Sequence, residues 1–340
     1  MAIVASDLSS VRATVSQPQT WQGAMKSAIR DPAELCRELD LPAQIASRFS
    51  AESFRVFAPR GYVAKMVPGD PSDPLLLQVL PRSEETRQEN GFVKDAVGDL
   101  DASLAPGLIH KYEGRVLLVA TGACAIHCRY CFRRHFPYEA TPRSLEAWRP
   151  AIERIASDNS VEEVILSGGD PLTLVDGLLE QLVCELERIP HLKRLRVHTR
   201  LPVVIPERVT SELLALLAGS RLTPIVVIHA NHARELEGDV SIAVAKLIQA
   251  GVPVLNQAVL LRGVNDAVDS LTELSRALVN LRVMPYYLHQ LDRVAGAGHF
   301  EVSVERGIEL IEQLRARLPG YAVPRYVQEI AGESSKRVLA

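Results

Sequence analysis

The 340-residue chain lacks any run approaching the ~20 consecutive apolar residues that a bilayer-spanning helix needs. Its first twenty residues hold no continuous apolar core either, since Asp7, Arg12 and several Ser and Thr interrupt them, so no secretory signal or membrane association is expected and the cytoplasm is the expected compartment. An excess of positive charge is also missing: 38 Lys and Arg face 41 Asp and Glu, a formal net charge of −3. Such a balance offers no basic field for a phosphate backbone, and nucleic acid is not an expected partner. No short-period repeat or low-complexity tract is present. Cysteine is scarce, five in all, an odd number with three of them inside eight positions. That spacing excludes a disulfide framework and points to a metal or cluster site.

Hydrophobic residues make up 47% of the chain, ample for a packed core, and the length fits one α/β barrel with an appendage. Residues 1–110 read as a helical, loop-rich lead-in. Asp31-Pro32-Ala33-Glu34 has the makings of a helix start, with Asp31 as cap, Pro32 in the first turn and Glu34 reaching back to the cap amide. The Pro68–Pro74 stretch reads as a structured connector that propagates neither helix nor sheet.

From about residue 114 the texture alternates between short β-rich runs and amphipathic helical patterns. Strands are expected at Arg115–Ala120, Glu163–Ser167, Leu195–His198, Pro224–His229, Pro253–Ala258 and Val283–Leu288. Between them, Leu145, Trp148, Ile152 and Ile155 share one helical face, and Leu178, Leu179, Leu182, Leu186 and Ile189 another. This order predicts an incomplete (β/α)6 barrel over residues 111–320 with right-handed crossovers, followed by a C-terminal segment, residues 321–340, closing over the rim. Polar residues follow each expected strand: the cysteine loop, Ser167-Gly168-Gly169-Asp170, His198-Thr199-Arg200, His229-Ala230-Asn231-His232, Asn256-Gln257 and His289-Gln290-Leu291-Asp292. In β/α barrels the loops at that end build the active site.

Cys124, Cys128 and Cys131 place three thiolates in one short loop after the first strand of the array. Three ligands on a four-iron cluster leave one iron open to an outside molecule. The competing reading is a Cys3His zinc site in a non-catalytic binding protein, with His127 or His135 as fourth ligand. Cys36 and Cys184 are expected to be buried, apolar-like residues on helices.

This loop resembles the signature of the radical S-adenosylmethionine superfamily. The resemblance implies a [4Fe–4S] cluster on Cys124, Cys128 and Cys131 that cleaves S-adenosylmethionine, and it assigns Ser167, Gly168, Gly169 and Asp170 to the segment receiving the methionine amino group, where a carboxylate suits an ammonium. Longer matches resemble the lysine 2,3-aminomutase family: Gly69–Pro74, Tyr130-Cys131-Phe132-Arg133-Arg134, Ser167–Leu172, Leu260–Asp266 and Tyr286–Asp292. That family is an isomerase family which also uses pyridoxal 5′-phosphate. By resemblance the Schiff-base lysine is Lys336, Arg115 lies near the pyridoxal phosphate group, Gln257 is a further cofactor contact, and Tyr112 is a neighbouring aromatic. Arg133 is matched to the substrate carboxylate, and Asp292 and Glu329 to the ε-ammonium, Glu329 standing where the family carries Asp. The glycine run before the lysine is reduced here to Ala331-Gly332-Glu333-Ser334-Ser335. The run Arg133–Tyr138, and a chain ending at Ala340, resemble the branch that makes (R)-β-lysine from (S)-α-lysine for elongation factor P. Expected partners are therefore L-lysine, an electron donor for the cluster, and a functional link to elongation factor P and its lysyl-transferring ligase. An aminomutase acting on another amino acid is the alternative within the class. A lysine so near the chain end needs something to tie it down, and bound pyridoxal phosphate is the expected tie.

Overall fold

The computed structural model describes residues 20–47, 50, 52 and 54–340, so the reading of the first residues as signal-free lies outside it. One ten-stranded sheet runs in sequence order. It consists of β1 (Ser103–Ala105), β2 (Leu108–Tyr112), β3 (Arg115–Thr121), β4 (Glu163–Gly168), β5 (Arg194–Thr199), β6 (Thr223–Ile228), β7 (Val254–Val259), β8 (Met284–His289), β9 (Arg325–Gln328) and β10 (Arg337–Val338). From β3 to β9 every neighbouring pair is parallel, while β1, β2 and β10 are antiparallel additions at the ends. The six expected strands are β3–β8, each displaced by at most a residue at either end.

Helices α1 (Trp21–Lys26), α2 (Pro32–Glu38), α3 (Arg60–Val63) and α4 (Pro74–Leu77) precede the sheet. Within it, α5 (Leu145–Ala156), α6 (Asp176–Glu187), α7 (Leu201–Val204), α8 (Ser211–Gly219), α9 (Asp239–Gln249), α10 (Val268–Asn280) and α11 (Val304–Arg317) make the crossovers. None of the described helices is long and apolar enough to cross a membrane.

The period-two pattern of the strands sorts the two faces of the sheet. On β5, Leu195, Val197 and Thr199 are buried toward the helices, and Arg196 and His198 are only half-buried on the other face. β7 alternates in the same way, with Gln257 among its half-buried positions. The core lies between sheet and helices, where Trp148, Leu166, Leu182, Leu195 and Leu310 are fully buried. Each such side chain contributes about 1.5–3 kcal/mol from apolar burial.

Several local expectations need correction. Asp31 caps α2 through the Ala33 amide, but Glu34 pairs with Arg60 instead of reaching back to the cap. The Pro-rich connector does end in helix: Asp73 accepts from the amides of Leu75 and Leu76 and starts α4 at Pro74. Cys36 is buried, whereas Cys184 is exposed, because the inward stripe of α6 is Leu179, Leu182, Val183 and Leu186. Residues 1–110 also contain β1 and most of β2.

The edge strands β1 and β10 do not pair, so the barrel stays open. Side chains bridge the gap instead. The Tyr112 hydroxyl, at the end of β2, donates to Glu329 just past β9 at 2.6 Å. The tail is tied down by backbone pairing: Arg337 opposes Gln328 and Val338 opposes Val327, Leu339 N–H donates to Tyr326 O at 2.8 Å, and Tyr326 N–H donates to Ala340 O at 3.0 Å. The last four residues thus pair with β9 and hold the segment carrying Lys336 against the sheet.

Candidate active site

The cysteine loop leaves β3 and is clamped from two sides. Toward the lead-in, the buried Arg129 donates to Glu85 Oε1 at 2.9 Å and to Oε2 at 2.5 Å, and Arg134 donates to the same Oε2 at 2.7 Å. Toward β4, the Gly169 and Asp170 amides donate to Thr121 O at 2.8 Å and Ala123 O at 2.7 Å. This contact explains the glycine pair. A Cβ on Gly169 would sit 2.3 Å from Ala123 O, and Gly168 has φ +109° with room for no side chain beside Val119.

The three loop thiols are free, and burial pushes Cys124 and Cys131 up, Cys131 to about 11, with each raised further by neighbouring cysteines. Three thiols within electrostatic reach of one another have the donor chemistry that an iron–sulfur cluster needs, although among the described residues no three His, Cys, Asp or Glu side chains converge on a single point. His127 and His135, the candidate zinc ligands, are turned elsewhere. His127 bonds Arg55 O at 2.8 Å and stacks on Phe54, and His135 bonds Ala295 O at 2.9 Å.

A buried polar network beneath the loop escaped the sequence reading. Arg200 donates to Cys128 Sγ at 2.7 Å, to Gln78 Oε1 at 2.6 Å and to Glu235 Oε2 at 2.7 Å. Glu235 in turn accepts from the amides of Asn231 and His232, so the loops after β3, β5 and β6 share one framework. The only hint in the sequence was that Arg200 and Asn231 stand in polar segments at the strand ends.

Asp170 requires a correction. Its Oδ1 accepts from the Leu172 amide at 3.1 Å and the Thr199 hydroxyl at 2.7 Å, and its Oδ2 from the amides of Arg200 at 2.7 Å and Leu201 at 3.1 Å. The carboxylate therefore faces the loop after β5 and holds it, leaving no lone pair for a ligand's ammonium. Ser167, Gly168 and Gly169 remain beside the cysteine loop.

Arg133, 7% exposed, donates through Nε to Asp99 Oδ2 at 2.6 Å and through Nη1 to Ser167 Oγ at 3.3 Å. Lys111 Nζ lies 2.6 Å from Asp99 Oδ1 and 3.6 Å from Glu329 Oε1. Glu329 accepts from Tyr112 and forms an ion pair with Lys336. Burial raises the Glu329 carboxyl, but Lys336 and the hydrogen bonds outweigh it and hold the group below the usual range. Asp292 lies within the field of the same groups. Burial pushes it up to about 7 against the pull of Lys336, with Glu329 adding to the rise. Arg115, at the start of β3, stacks over the Tyr112 ring at 4.6 Å.

Gln257 donates to His229 and reaches His198 Nδ1 at 3.5 Å. Burial keeps all three nearby histidines neutral: it lowers His229 to about 3, and His198 and His289 well below the ordinary value, with Lys336 contributing to both. The Nε2 atoms of His198 and His289 are buried and have no partner among the described residues. Two orphaned imidazole nitrogens, a Lys336 amine and a guanidinium nearby fit a polar, anionic cofactor bound through an aldehyde. All fourteen site residues expected from the sequence thus fall into two adjoining groups, the cysteine loop with the β4 glycines and the cluster around Lys336, with Arg133 bonded across to Ser167.

Residues 118–274 match the model of the Radical SAM superfamily. Over 331 residues the chain is 44% identical to L-lysine 2,3-aminomutase of Haemophilus influenzae, covering 96% of this chain and 97% of that one. It is 44% identical to L-lysine 2,3-aminomutase of Escherichia coli, with 94% of each chain covered, and 36% identical to the Clostridium subterminale protein of the same name, covering 93% of this chain and 76% of that one. With 44% identity across nearly the whole of both chains, and residues 118–274 matching the superfamily model, the chain belongs to the L-lysine 2,3-aminomutase family, isomerases of the radical SAM superfamily.

Proposed function

We propose that this protein converts (S)-α-lysine to (R)-β-lysine in the cytoplasm, in support of the β-lysylation of elongation factor P. The observation that carries the reading is the arrangement of charge in the cluster around Lys336 and the cysteine loop. Arg133 is paired with Asp99, while Glu329 is paired with Lys336 and Asp292 lies within the field of both. A lysine zwitterion carries its carboxylate and its ε-ammonium at opposite ends, and the two groups of residues match those ends. The Arg133–Tyr138 run supports the elongation factor P branch, and the five free cysteines support a reducing compartment.

The family's chemistry rests on a [4Fe–4S] cluster, S-adenosylmethionine and pyridoxal 5′-phosphate. When bound, these supply an adenosyl radical for hydrogen abstraction and a conjugated ring that carries the migrating nitrogen. In our reading Cys124, Cys128 and Cys131 would hold the cluster, with Arg200 supporting Cys128. Ser167, Gly168 and Gly169 would border S-adenosylmethionine. Lys336 would attach the pyridoxal group, with Arg115, Tyr112 and Gln257 around it. Arg133 would fix the substrate carboxylate while Asp292 and Glu329 receive the ε-ammonium. Fixing both ends of the substrate would set which hydrogen is presented and hold the reacting carbon in place. An electron donor would be a further partner, priming the cluster once with an electron that the reformation of S-adenosylmethionine does not consume.

The test is anaerobic incubation of the reconstituted protein with L-lysine, S-adenosylmethionine, pyridoxal phosphate and dithionite, followed by chiral separation. (R)-β-Lysine is the expected product. A β-amino acid formed from another substrate in preference to lysine would overturn the assignment.

A further inference from the structure

We infer that Asp99 is a positioning residue for substrate recognition, turning Arg133 toward the substrate carboxylate and setting the net charge of that end of the cavity. The inference rests on the reading of Arg133 as the carboxylate partner. Asp99 is 2% exposed and is itself fixed from behind, its amide donating to Asp95 Oδ1 at 3.0 Å and the Leu100 amide to Asp95 Oδ2 at 3.0 Å. Among the described residues it is the one carboxylate paired with Arg133. It engages the Nε edge of the guanidinium, and a guanidinium held by that edge is fixed in its plane and presents its terminal nitrogens outward.

Charge gives the second argument. Arg133 and Lys111 are two cations on one buried anion, leaving one net positive charge, the complement of a single carboxylate. Lys111 is also held by Val97 O at 2.7 Å, so it cannot swing away to relieve an imbalance. Burial raises the Asp99 carboxyl, yet Arg133 and Lys111 outweigh this and keep it below the usual carboxylate range. Without the Asp99 charge, Arg133 would lose the bond that orients it, and the two cations at that end would face each other without their shared anion.

The experiment uses the holoenzyme, with cluster and pyridoxal phosphate loaded and S-adenosylmethionine withheld, and measures dissociation constants for L-lysine and L-lysinamide by calorimetry. Lysinamide keeps both amines and lacks the carboxylate charge. Asp99→Asn should weaken lysine about tenfold, and lysinamide by much less, because misplacing a binding group costs on that order. Asp99→Glu, which keeps the charge on a longer arm, should weaken lysine less and spare lysinamide; it carries the test if Asp99→Asn fails to fold. In the Arg133→Gln background, adding Asp99→Asn should cost lysine nothing further. Equal losses for the two ligands in the Asp99 variants, or unchanged lysine binding, would overturn the proposal while leaving the Arg133 reading intact. Equal losses in Arg133→Gln alone would instead overturn the carboxylate reading, and the proposal with it.

Discussion

Replacing Asp170 with Asn separates two roles that a carboxylate after a Gly-Gly turn can play. If the side chain held the ammonium of S-adenosylmethionine, the variant would fold normally and bind that ligand weakly. The geometry says otherwise, since both oxygens are committed to three backbone amides and the Thr199 hydroxyl. An Asn places its NH2 where one oxygen stood. The better orientation sets it against the Leu172 amide and Thr199, whose hydroxyl can rotate to accept. One buried N–H is then orphaned, costing about 1–3 kcal/mol, and the two remaining amide bonds lose charge assistance, about 1 kcal/mol each. The sum, about 3–5 kcal/mol, is a large share of the stability of an ordinary domain. The loss falls on the loop carrying Arg200, and through it on Cys128. Urea unfolding of Asp170→Asn, together with iron content after anaerobic reconstitution, should show a lowered midpoint and depleted iron. An unchanged midpoint and full iron, with only S-adenosylmethionine binding weakened, would refute the reasoning.

Other outcomes follow from the same geometry. Cys128→Ala should abolish the brown chromophore, and a full iron complement in that variant would remove the residue from the cluster. Asp292, pushed up to about 7 by burial, must ionise to hold an ammonium, so the KM for lysine should fall as pH rises from about 6 to 8, and Asp292→Asn should flatten that dependence. For stability the sign reverses: the folded form binds this proton more tightly than the unfolded chain, so the contribution of Asp292 to stability declines as pH rises from about 4 to 7. Lys336→Ala should eliminate borohydride-trappable cofactor and spare the cluster. Removing Arg337–Ala340 should also impair trapping, because it deletes the strand pairing to β9, and normal trapping in that truncation would show the pairing to be dispensable.

Much of this was legible in the chain itself, for identifiable reasons. The strands β3–β8 announce themselves because each is a short β-rich run set between helical periodicities. The thiols stand out because three cysteines rarely crowd into eight positions. What stayed hidden depends on long-range partners. Asp99 and Arg133 are separated by 34 residues, Cys128 and Arg200 by 72, and Tyr112 and Glu329 by 217. Asp170 was misread because Gly-Gly-Asp specifies a tight turn without saying which way the carboxylate points. Cys184 was misread because a helix with a five-residue apolar stripe hides its neighbours in sequence, not in space. The anchoring of the tail could not be foreseen, since β10 is only two residues long and carries no strand signal of its own.

The central claim is that the cysteine loop and the terminal lysine serve one reaction at one cavity. It is tested most directly by following a hydrogen from substrate carbon. The reconstituted enzyme is given lysine deuterated at C3, with S-adenosylmethionine and dithionite, and the S-adenosylmethionine is recovered and examined by mass spectrometry. The account predicts deuterium at the C5′ position and β-lysine in the same mixture. β-Lysine formed while C5′ stays unlabelled would contradict it.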